Sequence, residues 1–326
     1  MRPRNNVDVL KRIGPFLFLV PVVLLGQQAV KQPGNAESSD SGDAVFSTET
    51  RLVQLPVTVT DKNGRLVTNL PQSAFQVFEN GILQTVKLFK REDVPVSLGL
   101  IIDNSGSMRE KRQAVESAAL ALVRDSNKQD EVFVVNFNDE AYLDADFTND
   151  VAKMEQGLTK IDSRGGTAMR DAIRMSVDHL KDKGKRDKKV ILVVTDGNDN
   201  ASNIGLEALV RLAQHDDVLI YAIGLLSDEE KREAGKAKRA LGILVESTGG
   251  QVFYPKEVSE VEKIAHEVAY DIRNQYTIGY TPSNTALDGS FRAVKVVVKA
   301  QGNPVARTRS GYYATQGKSA ATKNPS

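Results

Sequence analysis

Four short apolar runs with few charges constrain this chain more than any other feature: residues 97–102, 131–137, 189–195 and 218–224. A strand with one wet face alternates apolar and polar side chains, whereas a near-continuous apolar run suits a parallel strand covered on both faces. Helical segments separate the runs. Residues 109–125 carry Ala114, Ser117, Ala118, Ala121 and Leu122 at helical spacing, and 167–181, 206–214, 229–246 and 257–273 behave similarly. Residues 251–254 are expected to add a further strand. Alternation of strand and helix over this length predicts an α/β fold with a doubly wound parallel sheet and helices on both faces.

The flanks have a different rhythm. Val53, Leu55, Val57 and Val59 alternate with Gln54, Pro56, Thr58 and Thr60, which predicts an antiparallel strand with one apolar face. Asn63-Gly64 and Asn80-Gly81 follow between strand-like runs, and each is expected to close a hairpin because both turn positions favour positive φ. Near the other end, residues 276–280, 291–299 and 306–313 repeat the period of two, with Val294, Val296 and Val298 on one face. Neither flank has enough strands to bury a core alone. The expectation is a small antiparallel β-sandwich, its N-terminal half 48–93 and its C-terminal half 276–314, in which the α/β part is inserted or by which it is flanked. Residues 315–326 are expected to be a disordered tail.

Before the first flank, Arg2, Arg4, Lys11 and Arg12 precede the apolar run 13–25, the pattern of a secretory signal. That run is shorter than the roughly 20 residues of a membrane span. Residues 1–29 are therefore expected to be a signal peptide and 30–47 a flexible linker, which places the remainder outside the cytoplasm, periplasmic or secreted. Membrane contact is expected only if the signal segment stays uncleaved.

The chemistry is limited by what is missing. There is no cysteine and there are three scattered histidines, which excludes disulfides, thiolate metal sites and cysteine nucleophiles. With 43 basic and 42 acidic residues no global field steers the protein toward nucleic acid. In an open α/β sheet, ligands sit beyond the carboxyl ends of the strands. There the run LGLIIDNSGSM places Asp103, Ser105 and Ser107 at alternate positions, and VILVVTDGNDN places Asp196 at the end of another strand. SRGGT brings Thr167 behind two glycines, immediately before a helix. Two carboxylates and three hydroxyls form a hard oxygen site that favours Mg²⁺, Mn²⁺ or Ca²⁺ over zinc or copper.

At these residues the chain resembles the von Willebrand factor A (VWFA) domain with its metal-ion-dependent adhesion site: D-x-S-x-S, a distant Thr and a distant Asp occur in order. The resemblance covers residues 94–275. It implies that Ser105, Ser107 and Thr167 contact the metal directly or nearly so, that Asp103 and Asp196 act largely through water, and that one coordination position stays open. The flanking runs VTVTDKNGRLVTNL, FQVFENG, GYTP and RSGYY resemble those of a subset of bacterial VWFA-related proteins, which implies no known activity.

Single residues have simpler roles available: Ser and Asp at strand ends often cap helices, and the five together favour a site. Asp199 and Asn200 are expected to serve the turn after Asp196, and His179, His215 and His266 to be solvated. An enzyme is not expected. A haloacid-dehalogenase-type phosphotransferase needs a second Asp where Ser105 stands, a serine hydrolase needs G-x-S-x-G with a histidine base, and a P-loop is absent. The expected function is a protein-binding module whose cation captures an Asp or Glu of a partner protein. The alternative is a scaffold component of a cell-envelope complex whose metal is only stabilising.

Overall fold

The computed structural model describes residues 52–91, 93–160, 163–226 and 231–315. The expected signal peptide, the whole of the expected linker and all but the first residue of the expected C-terminal tail lie outside them. In chain order the strands are β1 (Val53–Thr60), β2 (Phe75–Glu79), β3 (Ile82–Gln84), β4 (Val86–Lys90), β5 (Val96–Asp103), β6 (Glu131–Phe137), β7 (Ala141–Thr148), β8 (Lys188–Thr195), β9 (Val218–Gly224), β10 (Val252–Phe253), β11 (Tyr276–Tyr280), β12 (Phe291–Val298), β13 (Val305–Arg307) and β14 (Gly311–Tyr313). The helices are α1 (Arg112–Arg124), α2 (Val151–Leu158), α3 (Met169–Lys183), α4 (Leu206–His215), α5 (Lys231–Thr248) and α6 (Val261–Arg273).

The central sheet has the order β10-β9-β8-β5-β6-β7. All its ladders are parallel except β6–β7, the antiparallel edge. Every residue of β5 is buried, as its apolar run requires. Leu98, Leu100 and Ile102 pack under α1 and α6, while Ile101 points to the opposite face, toward α3, α4 and α5. The fold is therefore the doubly wound α/β class that the strand–helix alternation predicts. The chain leaves β5 toward β6 on one side and returns to β8 on the other, so the switch point falls between β5 and β8, where ligands bind in open α/β sheets.

The period-two flanks build two antiparallel four-stranded sheets, β13-β1-β11-β4 and β14-β12-β2-β3, and each draws strands from both ends of the chain. Leu55 lies opposite Ile278 and Val296 opposite Val77. Their inward residues, among them Val53, Leu55, Val57, Phe75, Val77, Ile278, Tyr280, Val294 and Val296, form one core. Because β4 pairs directly with β11, the whole α/β segment is threaded between two neighbouring strands.

Asn80 and Gly81 both take positive φ, 48° and 81°, and close the hairpin between β2 and β3. Asn63-Gly64 closes a shorter one, in which Asp61 N–H donates to Arg65 O and Val67 N–H to Val59 O, both at 2.8 Å. Asp61 caps that turn by accepting the amides of Asn63 and Arg65 at 2.8 and 2.9 Å. The returning chain makes a single bridge, Thr60 to Leu66, on the edge of β1 opposite β13 and beyond the end of the β11 pairing at Val57.

The sandwich is tied to the α/β part through Asp271 on α6. Its carboxylate accepts Thr58 Oγ1 of β1 at 2.8 Å and Tyr221 Oη of β9 at 2.9 Å, and pairs with Arg307 of β13. Gln275 Nε2 donates to Thr58 Oγ1 at 3.0 Å and extends the network. Gly249 belongs to the same seam: its φ is +90°, and a Cβ there would stand 2.5 Å from the Arg309 amide nitrogen.

Candidate metal centre

The candidate residues come from three loops at the carboxyl ends of β5 and β8. Asp103 is the last residue of β5, and the chain then runs through Ser105 into a short 3-10 turn, Gly106–Met108. Asp196 follows β8 directly, and Thr167 stands two residues before α3. The loops are sewn together by backbone hydrogen bonds: Asn104 N–H to Phe137 O at 2.7 Å, Arg164 N–H to Asn104 O at 2.9 Å, and Gly106 N–H to Gly165 O at 3.3 Å.

Four of the five side chains are linked by a polar path. Asp103 Oδ1 accepts the Ser105 amide at 2.8 Å, Ser105 Oγ lies 3.2 Å from Ser107 Oγ, and Ser107 Oγ donates to Asp196 Oδ1 at 2.7 Å. Thr167 is brought alongside rather than into that path. Its hydroxyl lies 3.5 Å from where a Cβ on Gly197 would stand, so the glycine leaves room beside Asp196. Asp103, Ser105, Thr167 and Asp196 are buried, and Ser107 is exposed on the wall of an open cleft that Gly106, Arg109, Glu110, Lys111 and Val258 also line.

The two carboxylates sit in different electrostatic surroundings. Burial pushes the Asp103 carboxyl up to about 6, and the Asp196 charge adds to the rise, against hydrogen bonds that favour the ionised form. One of those comes from Thr195, whose hydroxyl donates to Asp103 Oδ2 at 2.6 Å across the β5–β8 seam. Asp196 Oδ2 is paired with the ammonium of Lys111. The donor set suits a hard divalent cation: carboxylate and hydroxyl oxygens with no sulfur or imidazole. Among the described residues no group of three or more His, Cys, Asp or Glu side chains could hold a metal. A cation here must therefore draw on the serine and threonine hydroxyls and on water.

Asp199 and Asn200 serve the turn, as expected. Asp199 accepts the Arg170 amide at 2.7 Å and its guanidinium at 3.0 Å, while Asn200 Oδ1 accepts the Thr167 amide at 2.9 Å and fixes that loop. The histidines depart from expectation in one case. His179 has a side chain only 9% exposed, stacks on Phe147 and bonds Asp146 at 2.9 Å, away from the candidate residues in the β7 region.

Sequence reasoning missed several supports. Lys111 has a sequence signal, since it follows Ser107 by one helical turn, but its partner is 85 residues away. Asp139 accepts the Gly166 amide at 2.6 Å and holds the Thr167 loop from the turn between β6 and β7. Asn136 accepts from Asn104 Nδ2 at 2.8 Å and donates to Asp144 and to Gly157 O, so the residue beside Asp103 is anchored to β7 and α2.

Known proteins share similarity with parts of this chain. Residues 98–198 match the family model described as von Willebrand factor type A domain. An uncharacterized protein of Borreliella burgdorferi is 26% identical over 175 residues, 52% of this chain and 50% of its own length, so this chain spans half of that relative. Among solved structures, proximal thread matrix protein 1 from the mussel byssus, with a zinc-occupied MIDAS motif, aligns with a TM-score of 0.49 and 18% identity over 60% of this chain and 49% of its own. The vWF domain of the type V pili tip protein Mfa5 from Porphyromonas gingivalis aligns with a TM-score of 0.44 and 14% identity, covering 55% of this chain and 97% of its own. An aerotolerance-related membrane protein from Bacteroides fragilis gives 0.44 and 16%, covering 54% and 98%. The match falls on the centre of the α/β sheet, from β5 to the loop after β8, so this part of the chain is similar to a von Willebrand factor type A domain.

Proposed function

We propose that this domain binds a divalent cation, Mg²⁺ or else Mn²⁺ or Ca²⁺, and uses it to capture an Asp or Glu side chain of a partner protein. The observation that carries the reading is the convergence of Ser105, Ser107 and Asp196 through contacts of 3.2 and 2.7 Å, with Ser107 opening to the cleft. Ser105, Ser107 and Thr167 would hold the cation, and Asp103 and Asp196 would act through water. When bound, the cation supplies a Lewis-acidic position for an external carboxylate.

Neutral hydroxyls leave more positive charge on a cation than directly bound carboxylates do, which strengthens its attraction for an outside anion. Coulomb attraction between them grows once the contact excludes water. The sheet ends and the loop hydrogen bonds pre-position the oxygens, which lowers the ordering cost of binding. Arg109 on the cleft wall adds positive charge for an acidic partner. Each histidine is paired with a carboxylate elsewhere, Asp146, Asp216 or Asp125, so no imidazole base serves Ser105 or Ser107. We read the site as binding without turnover, in a protein that works outside the cytoplasm.

The test is affinity capture on the immobilised full chain, eluted with EDTA, for the parent and for Thr167→Ala. Capture should depend on Mg²⁺ and weaken in Thr167→Ala more than thermal stability does, because that change spares both carboxylates. A partner held equally in Mg²⁺, Ca²⁺ and EDTA would leave the cation a stabilising role and favour a scaffold.

A further inference from the structure

Lys111 occupies a position that the metal reading does not use. Its ammonium pairs with Asp196 Oδ2, while Ser107 takes Oδ1, so both oxygens of this carboxylate already have partners. The Asp196 side chain is 1% exposed and that of Lys111 24%, so solvent screens the pair weakly. The backbone of Lys111 is fixed at the start of α1: its amide donates to Met108 O at 2.9 Å and its carbonyl accepts Val115 N–H at 3.1 Å. Its side chain is long, flexible and borders the open cleft, with a second contact to Leu225 O at 3.4 Å. Ammonium and cation are both positive, and both are drawn to the same buried carboxylate.

We propose that Lys111 is a tethered counter-cation that competes with the divalent ion for Asp196, so that metal uptake displaces its ammonium from the carboxylate toward the cleft. The inference rests on the metal reading above. It makes the domain a cation exchanger: the metal-free loops are tied by an internal ion pair, and affinity for the ion is set by how firmly that charge is held. Metal uptake then also moves a positive group to the wall against which an acidic partner would sit.

The experiment titrates Mn²⁺ into the full chain, following the free ion by electron paramagnetic resonance, with Mg²⁺ as competitor. Lys111→Met should tighten the Mn²⁺ Kd by about tenfold or more, since truncating one partner of a desolvated charge pair releases the other. Lys111→Arg keeps the charge and should stay within about threefold of the parent, as should Lys263→Gln, which removes an exposed charge on α6 that does not line the cleft. Without metal, Lys111→Met should melt below the parent, and Mn²⁺ should restore it. Lys111→Gln, with circular dichroism as the folding check, replaces Lys111→Met should the latter not fold. Equal affinity of parent and Lys111→Met would overturn the competition while leaving the metal site standing, and so would weaker binding by the variant. Failure of every protein to bind Mn²⁺ would overturn the metal reading and the competition with it.

Discussion

Asp103→Asn tests the electrostatics of the site without removing a side chain. In the fold, Asp103 is 1% exposed and its carboxyl is raised to about 6, against 3.8 for the ordinary group. Between those two values the folded protein holds a proton that the unfolded chain has already released. Stability therefore falls as pH rises through this window, and the loss is complete once pH exceeds the folded value. At 1.36 kcal/mol per unit, the full loss is about 3 kcal/mol by pH 7.5 in metal-free protein. Asparagine is the neutral isostere. It can accept the Ser105 amide and leaves the Thr195 hydroxyl free to rotate, so it avoids the loss. In EDTA, urea denaturation at about pH 4 should find parent and variant close, and at about pH 7.5 the variant should be more stable by roughly 3 kcal/mol. Saturating Mg²⁺ should erase or reverse that advantage, because a bound cation favours the ionised parent. A stability difference that stays flat from pH 4 to 7.5 in EDTA would refute the reasoning.

Other expectations concern the frame. Asp271→Ala leaves Thr58, Tyr221 and Arg307 without their common partner and should cost about 3–5 kcal/mol in urea denaturation; a loss below about 1 kcal/mol would show that the seam is not held by this carboxylate. Glu79 Oε2 accepts both Tyr280 and Tyr312 hydroxyls at 2.8 Å inside the sandwich, so Glu79→Ala should cost about 2–4 kcal/mol and Tyr280→Phe about 1 kcal/mol, and similar losses for the two would contradict this ordering. Gly250→Ala would put a Cβ 1.9 Å from Ile220 O and should lower the melting temperature strongly, whereas Gly235→Ala, with open space around it in α5, should raise it by up to about 1 kcal/mol of stability. A neutral Gly250→Ala would mean that the α5–β10 connection yields more easily than its packing implies.

The sequence was most legible where burial is complete. The β5, β6, β8 and β9 runs are apolar because both faces are covered, so their identity and parallel sense follow from composition alone. The β7–α2 segment was not legible. Ala141–Thr148 is an edge strand with Asp144 and Asp146 in it, and α2 has eight residues, too few for a helical period to stand out. Missing β7 explains the misplacing of His179, since it is Phe147 of that strand that covers the imidazole. The five candidate oxygens were visible because each sits at a strand end or beside a glycine. Their anchors were not, because Lys111–Asp196, Asp139–Gly166 and Asn104–Asn136 join residues 85, 27 and 32 positions apart, which no local pattern encodes.

The most direct measurement is the binding of Mn²⁺ to the metal-free full chain, read as loss of the free-ion resonance and repeated for Asp103→Asn, Ser107→Ala and Thr167→Ala. If Asp103, Ser105, Ser107, Thr167 and Asp196 form one site, the parent should take up a single equivalent that Mg²⁺ displaces, and each substitution should weaken uptake by about tenfold or more, the scale on which loss of a ligand or its orienting partner acts. Uptake that is absent in the parent, or undiminished by all three substitutions, would contradict the site.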